Sequence, residues 1–110
     1  LMFAQVLKLK KKIIGELHDP ETHLIPTVVY KCLFGKKVYV YDNEPRNREI
    51  VRRVKQRIDG GECVVIWPNY ISEKDINDMV LGGHNIQSVL QLNTHSGLEA
   101  KLKFNNWKKI

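Results

Sequence analysis

With 110 residues the chain has length for one domain with a modest core, and 43% hydrophobic residues set it apart from a disordered tail. A formal net charge of +6 favours polyanionic partners, nucleic acid ahead of an anionic membrane surface. No apolar run approaches a membrane span and no signal peptide is visible. Cys32 and Cys63 have neither a CxxC partner nor matching His spacing, which disfavours zinc and leaves buried thiols in a reducing compartment.

The chain opens on Leu1 ahead of Met2, which is compatible with a piece of a longer protein. Residues 1–14 alternate apolar and basic positions, and periodicity there suits helix and strand equally. Asp19-Pro20 and Ile25-Pro26 mark residues 15–26 as turns or an irregular connection. Thr27 to Phe34 is β-branched and aromatic enough for a strand, and Gly35 with two lysines turns the chain into a second strand over 37–42. After Asp42 the period changes. Ile50, Val51, Val54 and Ile58 form a helical stripe over 47–59, with Asn47 as N-cap and Gly60 or Gly61 as the stop. Its other face carries Arg48, Arg52, Arg53, Lys55 and Arg57, with Glu49 and Arg53 as an i,i+4 pair.

The continuous apolar run Cys63-Val-Val-Ile-Trp67 reads as a buried strand of the parallel type over 62–67, completing a βαβ unit with a right-handed crossover. Ser72 is a candidate cap for a helix running to about Leu81, stopped by Gly82-Gly83. A further helix is expected from about Asn85 to Thr94. Gly97 breaks the pattern, and residues 98–110 read as a short helix or strand with a basic end. There are no internal repeats. Tyr39, Tyr41 and Trp67 read as core, whereas Trp107 is the aromatic best placed for an exposed role.

Two acidic clusters carry the candidate chemistry. Asp42 and Glu44 lie two apart at the carboxyl end of a strand that feeds a helix, where open α/β sheets place their ligands. Asp75 and Asp78, i,i+3 near a helix start, follow the neighbouring strand and can reach the same crevice. Carboxylates converging there repel unless a cation sits between them, which suits Mg2+ or Mn2+. Bland readings compete throughout. Asp and Asn are ordinary turn formers, Asp75 after Ser72 resembles a capping box, and Asp78 suits a solvated helix face. Arg46 and Lys74, with Arg48 and Arg52 on the helix, are candidates for phosphate contacts, against the usual solvated face of a surface helix. His18, His23, His84 and His95 lack ligand spacing, and no P-loop, GxSxG or dinucleotide glycine pattern is present.

Val38-Tyr-Val-Tyr-Asp-Asn-Glu-Pro-Arg46, the basic helix, Asp59-Gly-Gly-Glu62 leading into Val64-Val-Ile-Trp67, and Lys74-Asp-Ile-Asn-Asp-Met79 together resemble the TOPRIM core of DNA primases. The likeness is greatest to primases of T-even-like bacteriophages, and the segment Gly97-Leu-Glu-Ala-Lys-Leu102 is similar to the end of those proteins. The resemblance runs from about Lys37 to Ile110.

The resemblance implies an α/β, TOPRIM-like (Rossmannoid) fold with a short, mostly parallel sheet flanked by helices. It implies RNA primer synthesis from ribonucleoside triphosphates on single-stranded DNA during phage replication, beside a replicative helicase in the cytoplasm of the infected host. It makes Asp42 and Glu44 the paired catalytic acids, and Asp42, Glu44, Asp75 and, more weakly, Asp78 the metal ligands. Arg46, Lys74, Arg48 and Arg52 would face triphosphate or template.

Two departures stand out. Family members carry a glutamate after an earlier strand in a Glu-Gly-Pro-type motif, and Glu16 is the nearest, poor candidate in residues 1–36. The family's zinc-binding domain is also absent. We therefore divide the chain into residues 1–36, of uncertain relation to the family, and 37–110, the C-terminal part of a catalytic domain, and expect an incomplete enzyme. The competing readings are a non-catalytic module that binds nucleic acid or docks on the helicase through its basic helix and tail, and another TOPRIM enzyme such as a topoisomerase or nuclease. No tyrosine-nucleophile context supports the latter.

Overall fold

Among the described residues, helices pack around a four-stranded mixed sheet. The computed structural model describes residues 27–32 and 35–110, so the expectations placed on 1–26, Glu16 among them, lie outside the described residues. The elements are β1 (Thr27–Lys31), β2 (Lys37–Tyr41), α1 (Arg48–Asp59), β3 (Cys63–Val65), α2 (Ile76–Leu81), α3 (Ile86–Leu92), β4 (Thr94–His95) and α4 (Gly97–Trp107). The sheet order is β1-β2-β3-β4.

β1 and β2 pair antiparallel from Thr27↔Tyr41 to Lys31↔Lys37, β2 and β3 pair parallel, and β3 and β4 pair antiparallel. The mostly parallel sheet expected from the family resemblance is therefore corrected, because both outer pairs are antiparallel. The reason at the first pair is chain length. Gly35 donates to the Cys32 carbonyl at 2.9 Å with φ at 77°, and so tight a reversal returns the next strand beside its predecessor in the opposite sense. A parallel neighbour needs a crossover, which α1 provides between β2 and β3.

Period-2 alternation distributes the core onto both faces of the sheet. Val38, Val40, Val65 and Trp67 pack with Met79 and Val80 of α2 and with Ile86, Val89 and Leu90 of α3. Tyr39, Tyr41, Val64 and Ile66 face the other way, onto Ile50, Val51, Val54 and Ile58 of α1 and Ala100 and Phe104 of α4. Trp107 touches both clusters. The run of apolar residues expected as strand 62–67 stays buried to its end but leaves the ladder after Val65. The Trp67 indole N–H instead donates to the Tyr41 carbonyl at 2.8 Å.

Two other expectations shift. α3 ends at Leu92 because Thr94 is drawn into β4 opposite Val65. The tail resolves as helix, beginning at Gly97, whose φ of 60° makes the break in direction.

α1 is capped by Asn47, whose side chain accepts from the backbone N–H groups of Glu49 and Ile50. Its basic face is narrower than the sequence suggests. Arg53 and Arg57 are only 5% and 6% exposed. Arg57 lies 3.9 Å from the Tyr39 ring centroid, donates Nε–H to the Tyr41 hydroxyl at 3.0 Å, and reaches Glu62 Oε2 at 3.0 Å. Burial opposes its charge, yet the bonds to Tyr41 and Glu62 raise its pKa on balance. Glu49 pairs with the exposed Arg52 rather than with Arg53, which bonds to Gln56.

The two kinds of arginine should therefore behave differently. Arg57→Ala removes a buried cation together with its bonds to the Tyr41 hydroxyl and the Glu62 carboxylate and should cost about 2–3 kcal/mol in urea denaturation. Arg52→Ala breaks an exposed pair and should cost less than about 0.5 kcal/mol. Equal effects would contradict this division of the helix.

Candidate metal and nucleotide site

The site forms where β2 ends and the chain reverses. Tyr41 is the last strand residue, so Asp42 and Glu44 are brought near one another by a tight turn, with the Glu44 N–H on the Asp42 carbonyl at 2.9 Å, rather than by strand pleating. The Asn47 N–H then donates to the Glu44 carbonyl at 3.0 Å, leading into α1.

Asn43, between the two acids, organises everything around it. Its backbone N–H donates to the Lys74 carbonyl at 2.6 Å, and its side-chain amide donates to the carbonyls of Ile71 and Glu73, both at 3.0 Å. Its Oδ1 accepts from the Trp107 indole at 2.9 Å. One asparagine thus ties β2, the loop before α2 and the end of α4 together, and it lays Lys74-Asp75 beside Asp42-Glu44. Sequence reasoning treated Asn43 as a turn former and missed this. The available signal was its chemistry, since between two acceptor-only acids an amide is the group able both to donate and to accept.

The same clamp moves the helix start. With the carbonyls of residues 71, 73 and 74 bound to Asn43, the loop cannot wind, so Ser72 is exposed and caps nothing. α2 begins at Ile76, with Asp75 itself as N-cap, accepting from the Asp78 N–H at 2.8 Å. Asp78 is exposed in the first turn of α2. Trp107, expected at the surface, is half-buried with its N–H committed to Asn43.

Electrostatics mark Asp42 as the centre of the cluster. Burial first, and then the charges of Glu44 and Asp75, together push its pKa up to about 6 against the opposing charge of Lys74. Lys74 Nζ lies 3.8 Å from Glu44 Oε1. Three of the four acids singled out in the sequence therefore act on one another, with Lys74 among them.

The phosphate candidates divide. Arg46 is exposed and lines a shallow groove with Glu44, Asn47 and Lys109. Arg48 is exposed at the start of α1, while Arg52 is held by Glu49 further along. Among the described residues no three His, Cys, Asp or Glu groups close into a metal cage. What exists is an open site with carboxylates on one side. That donor set suits a hard cation that keeps waters and completes its shell with phosphate oxygens, the usual habit of Mg2+.

No family model matches the chain. Over 80 residues, 68% of the chain, it is 32% identical to the DNA primase of Enterobacteria phage T4. The matched stretch is a primase-related segment. The chain spans 23% of the length of that primase. No helix among the described residues is long and apolar enough to cross a membrane.

Proposed function

We propose that this chain forms part of the catalytic centre of a TOPRIM-type phage DNA primase, with residues 37–110 as the C-terminal part of that domain. In this reading it serves a nucleotidyltransferase that joins ribonucleoside triphosphates into short primers on single-stranded DNA. The work would be done beside a replicative helicase, in the cytoplasm of the infected host. The observation that carries the proposal is the convergence of Asp42, Glu44 and Asp75 at one strand end, where burial and then the charges of Glu44 and Asp75 hold Asp42 above the ordinary carboxylate range. Likeness to a phage primase supports it from the side of sequence.

Asp42 and Glu44 would hold Mg2+ or Mn2+ with help from Asp75, whose capping bond uses Oδ1. Asp78 enters only by its place in the Lys74-Asp-Ile-Asn-Asp78 motif. The metal would supply charge neutralisation at the triphosphate and activation of the attacking hydroxyl. The protein's own groups do the positioning. Lys74 and Arg46 flank Glu44 and present cations to phosphate oxygens, and Arg48 and Arg52 extend that field along α1. Asn43 keeps the two acidic segments in register.

Mn2+ titration followed by NMR tests this directly. Paramagnetic broadening should be centred on the amides of Asp42, Glu44 and Asp75. Asp42→Asn and Glu44→Gln should each weaken the effect by at least about tenfold, the loss expected when one charged ligand goes. Broadening centred elsewhere, or unchanged in both variants, would overturn the site.

A further inference from the structure

We infer that the cleft between α4 and the loop joining β3 to α2 receives the base of a nucleoside triphosphate whose phosphates meet Asp42 and Glu44. This rests on the metal–nucleotide reading above and adds to it a location and a chemistry for the base.

The cleft has a volume of about 510 Å3, within the range of small-molecule sites. Asn43 and Pro45 form one side of it, so it opens from the same turn that carries the two acids. Trp107, half-buried at the end of α4, supplies its accessible aromatic surface, whereas Trp67, also along the lining, is 3% exposed and belongs to the core. The Trp107 indole N–H is already spent on Asn43 Oδ1, so its ring offers only flat hydrocarbon to a ligand.

The polar lining is of a different kind. Asn69 and Asn106 also line the cleft, and their side-chain amides are uncommitted among the described residues. Asn93 keeps its Oδ1 available while its amide N–H serves the Val89 carbonyl. Carboxamides present donor and acceptor side by side, which matches the edge of a nucleobase. The charged residues of the lining are Lys103 and Lys109, which favour a ligand that carries negative charge.

These features select among ligands. A purely apolar molecule would strand the amides and both ammonium groups, and a bare inorganic anion would leave the indole surface unused. A flat ring with a polar edge and an attached phosphate chain uses all three. The placement beside Asp42 and Glu44 then assigns the phosphate end to the acidic turn.

The chain has two tryptophans, and both line this cleft, so their indole N–H resonances report on it without labelling. Titration of the whole chain with ATP should move the Trp107 resonance, with and without Mg2+. Asn106→Leu and Lys103→Glu, both at exposed positions of α4, should weaken the apparent affinity by about tenfold while leaving the melting temperature unchanged.

Inorganic triphosphate moving the indoles as ATP does would overturn the base assignment. So would a single-stranded oligonucleotide that moves them where ATP does not. The two readings fail separately. Mn2+ broadening at Asp42 with no indole response to ATP sinks the cleft and leaves the metal site. A metal-free ATP response without any broadening at Asp42 sinks the metal site and leaves the cleft.

Discussion

Asp42→Asn should make the protein more stable at neutral pH while abolishing its response to Mg2+. The folded-state pKa of Asp42 is raised from 3.8 to about 6, chiefly by burial and then by Glu44 and Asp75. Below 3.8 the carboxyl is protonated whether the chain is folded or not, and burial carries no charge penalty. Between 3.8 and about 6 the folded state retains a proton that the unfolded chain releases, so stability falls as pH rises. Above about 6 the fold bears a desolvated anion and the whole cost remains. Asparagine keeps the shape and removes the charge. At pH 7 the gain should be about 1–2 kcal/mol, once solvent screening of a half-buried group is allowed for. It should vanish near pH 4, where wild type and variant ought to unfold at the same urea concentration. Millimolar Mg2+ should raise the melting temperature of the wild type, by linkage, and leave the variant unmoved. A variant destabilised equally at both pH values would mean that Asp42 is held by a bond rather than strained by its neighbours. Such a stability gain coupled to lost ligand binding is the ordinary signature of a site kept at a cost to the fold.

What could be read from the sequence was whatever depends on near neighbours. Val38 to Tyr41 alternate onto the two faces of the sheet because a strand's period is two, and the break at Asp42 to Pro45 is local turn chemistry. The stripe of α1 and its Asn47 cap are equally local. Contacts between distant residues were hidden. Arg57 looks like one more solvated cation until Tyr41, sixteen positions earlier, and Glu62 are placed around it. β4 is two residues long, too short to show any period, and exists because Val64 and Val65 are there to pair with it. The hairpin of β1 and β2 was legible and was underweighted. A turn as tight as the one at Gly35 already demands antiparallel strands, whatever sheet the family resemblance suggests. At the site, the acids were visible as residue types, but their convergence depends on Asn43 reaching across some thirty positions to Ile71 and Glu73.

That dependence makes Asn43→Ala the most disruptive single change expected at this end of the sheet. Alanine keeps the backbone bond to Lys74 but removes three side-chain bonds at once, leaving the Ile71 and Glu73 carbonyls and the Trp107 indole without their partner. At about 1 kcal/mol for each bond, and more where a part-buried group finds no water, the loss should reach about 3–4 kcal/mol by urea denaturation. The consequences should also be electrostatic. Once the loop before α2 is released, Asp75 no longer presses on Asp42, so the Asp42 carboxyl should titrate at a lower pH than in the wild type, measurable by NMR of its side-chain carbon. Asn43→Asp separates the two roles of the side chain. A carboxylate can still accept from Trp107, yet it turns oxygen toward the carbonyls of Ile71 and Glu73 and adds a charge beside Asp42 and Glu44. The aspartate variant should therefore be no more stable than the alanine one, and its Asp42 should titrate at a higher pH, opposite to the shift in Asn43→Ala. If both variants left the Asp42 titration where it stands in the wild type, the clamp would have no part in assembling the acidic cluster, and Asn43 would be the simple turn residue its neighbours suggest.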